Sequence, residues 1–260
     1  MLKGVTFDLW FTLLPSNREL DRQWERMRRK STYQIFADHG FLFDNKRLKV
    51  KIRTFDAEIN RQRKLNGIDF STDEHIARLV QFIAPTALNN RKLHDQLKET
   101  YIFPILDVVP PIGDGVPDML ATLKENGWKI GLISNTGKTS GATFRQLFQQ
   151  FDILKFFDDC VFSDEIGYYK PNQQIFRAAE ERLGLQFNEL VHVGDMISAD
   201  ICGALGAGWQ AIYFKRYVAQ RYLDENEQDA RCLEMCPPQE TAESYEEVVE
   251  KLTNMRDNSN

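Results

Sequence analysis

Four places in this chain carry polar side chains at the end of an apolar run or in the loop that follows it. Asp8 interrupts VTFDLWFTLL, with Thr12 close behind it, and Ser134 and Asn135 end WKIGLISN. Lys170 follows CVFSD, in GYYKPNQQIF; Gly194 and Asp195 end LVHVGD, with Asp200 five residues further on. Together these residue types suit phosphoryl or related transfer. An ionised Asp8 can attack an electrophile and form a covalent aspartyl intermediate. Lys170 offers a fixed positive charge to anionic oxygens, and Ser134 and backbone N–H groups can donate hydrogen bonds to them. Asp8 and Asp195 supply hard oxygen ligands suited to Mg²⁺, with Asp200 as a further ligand or as an acceptor behind it. Each place also has an ordinary structural reading. Ser134 to Thr136 or Asp200 could cap the helix that follows, and Lys170 could be a solvated loop lysine. The recurrence of the pattern after four separate apolar runs favours the chemical reading.

The elements that must position these residues are legible as an alternation. KGVTFDLWFTLL, WKIGLISN, CVFSD, LVHVGD and WQAIYF read as short strands. Between them VPDMLATLKENG, TFRQLFQQF, NQQIFRAAEERLG and SADICGALGAG read as amphipathic helices, and ESYEEVVEKL as a last one. This is the pattern of an α/β fold with a doubly wound parallel sheet, covered by helices on both faces, whose ligands bind at the carboxyl ends of the strands. The closing NMRDNSN is expected to fray. The first strand is separated from the others by some ninety residues of helical rhythm, broken at Gly40, Gly67 and Pro85 and ending at the linker VVPPIGDG. That is too long for a loop, so residues 16–107 are expected to form a helical domain inserted into a core of residues 1–15 and 108–260. Residues 16–108 hold 18 Lys and Arg against 13 Asp and Glu, whereas the remainder holds 15 against 25. A basic insert facing an acidic core can draw an anionic substrate to the boundary, although solvated helix faces explain such charges equally well.

FDLWFTLL, LISNT, YYKPNQQIF and HVGDMISAD, in this order, resemble the four motifs of the haloacid dehalogenase-like (HAD) hydrolases. The resemblance spans essentially the whole chain, and the helical insert resembles a C1-type cap on a Rossmann-like core. It implies a mostly Mg²⁺-dependent phosphatase family that also contains dehalogenases, phosphonatases and mutases. It further implies that Asp8 is the nucleophile, that Thr12, Ser134 and Lys170 hold the transferred group, and that Asp195 is a metal ligand. Asn135 would orient substrate or nucleophile.

Phosphatases of this family usually carry aspartate two residues after the nucleophile, where it protonates the leaving oxygen and later activates water. Here that position is Trp10. Its backbone carbonyl can still face Mg²⁺, but indole exchanges no proton usefully near neutral pH, and general acid–base help is worth about 10²–10⁴-fold in rate. Three readings stay open. The chain is a Mg²⁺-dependent phosphatase limited to good leaving groups or drawing its acid–base from the cap; or a carbon–halogen hydrolase, since family dehalogenases carry an aromatic at this position; or a non-catalytic binding protein. The retained Asp195 and Asp200 favour the first, because dehalogenases need no metal and typically replace these acids. Arg22, Arg26, Arg28 and Arg29 are candidates for a halide-binding arginine on the second.

Composition narrows the field further. A net charge of −5 and a pI near 5.5 argue against a dedicated nucleic-acid binder. No stretch is long and apolar enough to span a bilayer, and the N-terminus does not read as a signal peptide, so the expected compartment is the cytoplasm. The expected partner is a small anionic, phosphorylated molecule; an oligomer is possible but nothing demands one. Cys202 reads as a small core residue. Cys232 and Cys236, one helical turn apart with no histidine near, read as neither a zinc site nor disulfide partners. The aromatics Trp24, Tyr33, Phe36, Phe41 and Phe43 are expected mainly to fill a helical core.

Overall fold

The computed structural model describes residues 1–102, 104–220 and 232–258. Strands β1 (Gly4–Phe7), β2 (Lys129–Ser134), β3 (Asp159–Phe162), β4 (Leu190–Gly194), β5 (Gln210–Phe214) and β6 (Glu240–Ala242) form one parallel sheet in the order β3-β2-β1-β4-β5-β6. Every residue of β1 and β4 is buried, as expected of parallel strands covered on both faces. β1 pairs with β2 on one side and with β4 on the other. The strand order therefore reverses beside β1, and a crevice opens where the chain leaves β1 and β4, at Asp8 and Asp195.

Among the described residues the helices are α1 (Arg18–Asp38), α2 (Asn45–Asn66), α3 (Thr72–Ile83), α4 (Arg91–Ile102), α5 (Pro104–Asp107), α6 (Val116–Glu125), α7 (Gly141–Gln150), α8 (Ser163–Ile166), α9 (Gln173–Leu183), α10 (Cys202–Gly206) and α11 (Tyr245–Asp257). α6, α7 and α11 bury Leu120, Phe144, Phe148, Val248 and Leu252 with Val5, Phe7 and Leu132 of the sheet. α9 and α10 bury Ile175, Phe176 and Ala204 with Ile133 and Ala211. α1 to α4 gather an apolar cluster of their own, including Phe36, Leu48, Phe55, Leu79 and Leu97. Trp24 does not belong to it. This side chain joins the sheet's cluster, and its indole N–H donates to Val108 O at 2.9 Å.

The insert and the core are joined by backbone as well as side chains. Gly67 ends α2 in the left-handed conformation, at φ 63°, which suits a residue without Cβ. The chain then runs antiparallel to Tyr168: Asp69 N donates to Gly167 O and Tyr169 N to Gly67 O, both at 2.9 Å. Beside this short ladder Arg63 Nε donates to Asp69 Oδ1 at 2.6 Å, with both side chains almost wholly buried. Ser163 Oγ donates to Asp69 Oδ2 at 2.5 Å, and Arg63 Nη2 to Gly137 O at 2.8 Å.

His75 of α3 lines a small cleft at the same boundary with Thr136 to Ser140 and Asp164. Burial, then the cations Arg63, Lys138, Arg28 and Arg78, push its pKa from 6.5 down to about 3. The folded protein thus holds the ring neutral, while the unfolded chain takes up a proton below 6.5. Stability is full above that pH and declines by at most about 1.4 kcal/mol per unit as pH falls toward 3. Replacement by Gln should remove this slope. Between pH 7 and 5, urea denaturation should show the wild type losing about 2 kcal/mol more than His75→Gln; parallel losses would refute the assignment.

Three sequence expectations need correction. Cys202 and Cys236 form a disulfide, with Cα atoms 5.2 Å apart. Within a helical turn of Cys236 the sequence offers only Cys232 as a partner, whereas the fold brings Cys236 beside α10; Cys160 and Cys232 are free. Closing a loop of 34 residues stabilises a fold by roughly 3–4 kcal/mol. The Cys202→Ser/Cys236→Ser protein should therefore melt about 6–16 °C lower, and an unchanged midpoint would show that the bond carries no stability. β6 was not expected, because ETA at the sheet edge lacks an apolar run. α11 continues through Asp257 with Met255 buried, so NMRDNSN does not fray as far as the structure describes it; residues 259–260 lie outside the described residues.

Candidate active site

The chain leaving β1 turns sharply. Phe11 takes the left-handed region at φ 56°, and Leu13 N and Leu14 N both donate to Leu9 O. The turn leaves Asp8 at the strand tip and sends the Trp10 ring sideways, 5.8 Å from Trp24 of α1 and 5.9 Å from Phe144 of α7.

Lys170 is 2% exposed, which excludes the solvated-loop reading. Its ammonium donates to Asp8 Oδ1 and Asp200 Oδ1, each at 2.6 Å, and to Ile133 O at 2.8 Å. All three N–H groups are thereby used. Asn135 grips the same loop from the tip of β2: its Oδ1 accepts from Lys170 N at 2.8 Å and its Nδ2 donates to Lys170 O. Neither capping alternative is realised, since Ser140 caps α7 and the Asp200 carboxylate is turned to the lysine. Asp200 Oδ2 accepts from Met196 N at 2.9 Å. Gly194 is required there, because a Cβ would lie 2.4 Å from Asp200 Cγ.

His192 is a residue that sequence reasoning passed over. It lies 3.2 Å from Asp200 Oδ1 through Nε2, and its Nδ1 is 2.8 Å from the Thr6 hydroxyl, its register partner on β1. Burial lowers its pKa. The neutral ring that donates from Nε2 and accepts at Nδ1 satisfies both neighbours. The available signal was a lone histidine inside an apolar strand.

The electrostatics follow from crowding. Burial pushes Asp8 up to about 6 against the pull of Lys170, and Asp200 adds to the rise. Burial also opposes charge on Lys170 and Asp200, but their mutual attraction outweighs it; the lysine is held protonated and Asp200 ionised. Carboxylate oxygens of Asp8, Asp195 and Asp200 lie within 4.8 Å of one another. Three neighbouring carboxylates, of which the lysine pairs with Asp8 and Asp200, make a hard-oxygen donor set that fits a divalent cation. With both Asp200 oxygens already accepting hydrogen bonds, Asp8 and Asp195 are the better placed donors.

A cavity of about 440 Å³ opens over this cluster. Asp8, Trp10, Asn135, Lys170, Asp195 and Asp200 all line it, as do Asp21, Arg63 and Lys64 from the helical insert. Thr12 and Ser134 do not line it. They are buried at the strand tips, and Thr12 Oγ1 and Ser134 Oγ have no hydrogen-bond partner among the described residues. Of the four arginines weighed as halide ligands, Arg28 is buried and donates to Thr139 Oγ1, and none lines the cavity.

A Rossmann-like sheet with a buried Asp–Lys–Asp cluster at its switch point, under a helical insert, is the arrangement of a Rossmann-like hydrolase. The chain belongs to the haloacid dehalogenase-like hydrolases, whose family model matches residues 2–208. It is 34% identical over 257 residues to a glyceraldehyde 3-phosphate phosphatase of Methanopyrus kandleri, covering 96% of this chain and 99% of the relative. A protein of the same description from Methanothermobacter thermautotrophicus is 28% identical, over 88% of this chain and 92% of its own. Among solved structures, a 2-haloacid dehalogenase from Pseudomonas syringae superposes with a TM-score of 0.68 at 20% identity, covering 98% of this chain and 100% of its own, a likeness of fold. No helix among the described residues is long and apolar enough to cross a membrane.

Proposed function

We propose that this chain is a Mg²⁺-dependent phosphatase of a small phosphorylated metabolite, about the size of glyceraldehyde 3-phosphate, working through an aspartyl-phosphate on Asp8. The observation that carries the reading is the survival of Asp195 and Asp200 beside the Asp8–Lys170 pair, an arrangement that carbon–halogen cleavage does not need. Asp8, Asp195 and the Trp10 backbone carbonyl would hold Mg²⁺, which supplies neutralising charge to the phosphoryl oxygens. Lys170 adds a second positive charge on the same group, and Asp200, backed by His192, fixes the lysine. Asn135 acts on the Lys170 loop rather than on substrate. The hydroxyls of Thr12 and Ser134 are unpartnered but lie behind the cavity wall, so we assign them no direct contact with the transferred phosphoryl group. Residues 16–107 act as a cap over the cavity, with Lys64 as its cationic side and Arg63 held by Asp69. The likeness to the two archaeal phosphatases over nearly their full length supports a small phosphorylated substrate.

Carbon–halogen hydrolysis is the second reading, favoured by the aromatic at position 10. Phosphate release from p-nitrophenyl phosphate, acetyl phosphate and glyceraldehyde 3-phosphate, set against halide release from 2-chloropropionate, separates the two. Phosphate release should be the faster and should fall at least about 10²-fold in EDTA, the value of several kcal/mol of charge stabilisation. Metal-independent halide release would establish the second reading in its place.

A further inference from the structure

The carboxylate absent from position 10 has a replacement in the same cavity. Among the described residues four carboxylates line it: Asp8, Asp195 and Asp200, which lie close together, and Asp21, which comes from the helical insert. Asp21 lies in the first turn of α1, and Ser16 Oγ, in the segment that leads from the core into α1, donates to its Oδ1 at 3.4 Å. Three residues further along α1 stands Trp24, the ring against which Trp10 packs. Positions i and i+3 share one face of a helix. The indole that occupies the usual acid–base position therefore docks the helical face that carries another acid, and the Trp24 bond to Val108 O ties that face to the second crossing between insert and core.

We propose that Asp21 is the general acid–base of the phosphatase reaction, working from the cap in place of a carboxylate at position 10. The proposal rests on the phosphatase reading above. As Asp8 forms its bond to phosphorus, the bond from phosphorus to the ester oxygen breaks, and the departing oxygen keeps the electron pair and takes the proton from the Asp21 carboxyl. The alcohol leaves and Asp21 is left as carboxylate. In the second half Asp21 takes a proton from water as the water oxygen bonds to phosphorus. The bond from phosphorus to Asp8 then breaks, releasing phosphate and returning Asp8 as carboxylate and Asp21 as acid. Ser16 orients the carboxyl between the two steps.

The test is the leaving-group dependence of Asp21→Asn, with Asp21→Ser as a second variant. For alkyl phosphates kcat/KM should fall about 10²-fold or more, while p-nitrophenyl phosphate, whose oxygen leaves without a proton, should lose less than about tenfold. The readout is a ratio within one preparation, so a partly unfolded variant does not distort it. With p-nitrophenyl phosphate the variants should also give a burst of nitrophenol and accumulate phosphorylated Asp8, because water is no longer activated. An equal loss on every ester without a burst, the signature of a helix-terminal acid with a structural role only, overturns the proposal. So does an unchanged ratio. Absence of phosphate release from every ester by the wild-type protein overturns the phosphatase reading itself, a result distinct from both.

Discussion

Asp8→Asn should abolish turnover while leaving the protein folded. The amide keeps the shape of the carboxylate but cannot form the covalent intermediate, and the loss should exceed about 10⁴-fold in kcat, because a covalent route has no partial substitute. Stability should not fall with it. Burial already works against the Asp8 charge, raising its pKa to about 6, so an uncharged isostere is no worse placed in that environment. Lys170 keeps Asp200 and Ile133 O as acceptors. Phosphate release and a thermal melt on one preparation check both halves. Persistent turnover in Asp8→Asn would sink the aspartyl-phosphate mechanism, and a collapsed melt would show that the carboxylate is structural.

Lys170→Met is expected to damage both properties. The methionine replaces much of the methylene stem but leaves Asp8 and Asp200 facing each other, buried and without their shared cation. Breaking a buried ion pair from one side costs about 3–5 kcal/mol, which for a chain of this size lowers the melting midpoint by about 6–20 °C. Catalysis should fall by about 10³-fold, since a desolvated positive charge beside the transferring group is lost and the nucleophile is driven further toward its protonated form. Lys170→Arg should recover stability better than rate, because a guanidinium restores the charge but not the three-way fit to Asp8, Asp200 and Ile133 O. A variant that melts like the wild type would mean that the cluster is not held by the lysine.

The contrast between what was legible and what was not has a physical basis. Asp8 and Asp195 could be read because parallel strands must be apolar, so a polar residue at a strand tip stands out against its run; Lys170 and Asp200 could be read because they follow such runs in order. Asp21 could not, since an acid in the first turn of a charged amphipathic helix looks like any helix-stabilising acid. The packing of Trp24 on Trp10 shows which face of that helix meets the core. Asn135 was legible as a site residue but not in its attachment, which depends on the course of the Lys170 loop. Thr12 and Ser134 stand out in the sequence with the others, yet they sit behind the cavity wall rather than on it. The Cys202–Cys236 bond joins residues 34 positions apart, and no local spacing rule reaches that far. β6 escaped because an edge strand buries little and needs no apolar run.

The ladder between Gly67–Asp69 and Gly167–Tyr169 bears on how such proteins can be recombined. A chimera that transplanted only the helical segment from a relative would carry one half of this pairing and leave the other behind, a few bonds from the active lysine. The transferred Arg63–Asp69 pair would meet a foreign Ser163 and Gly137, and its buried charge would lose partners that its own chain had shaped. The smallest exchangeable unit is therefore discontinuous: the helices together with the strip from Ser163 to Asn172. Grafts that respect it should keep the donor's substrate preference on the host's chemistry, whereas grafts that ignore it exchange a binding surface at the expense of the lysine's alignment.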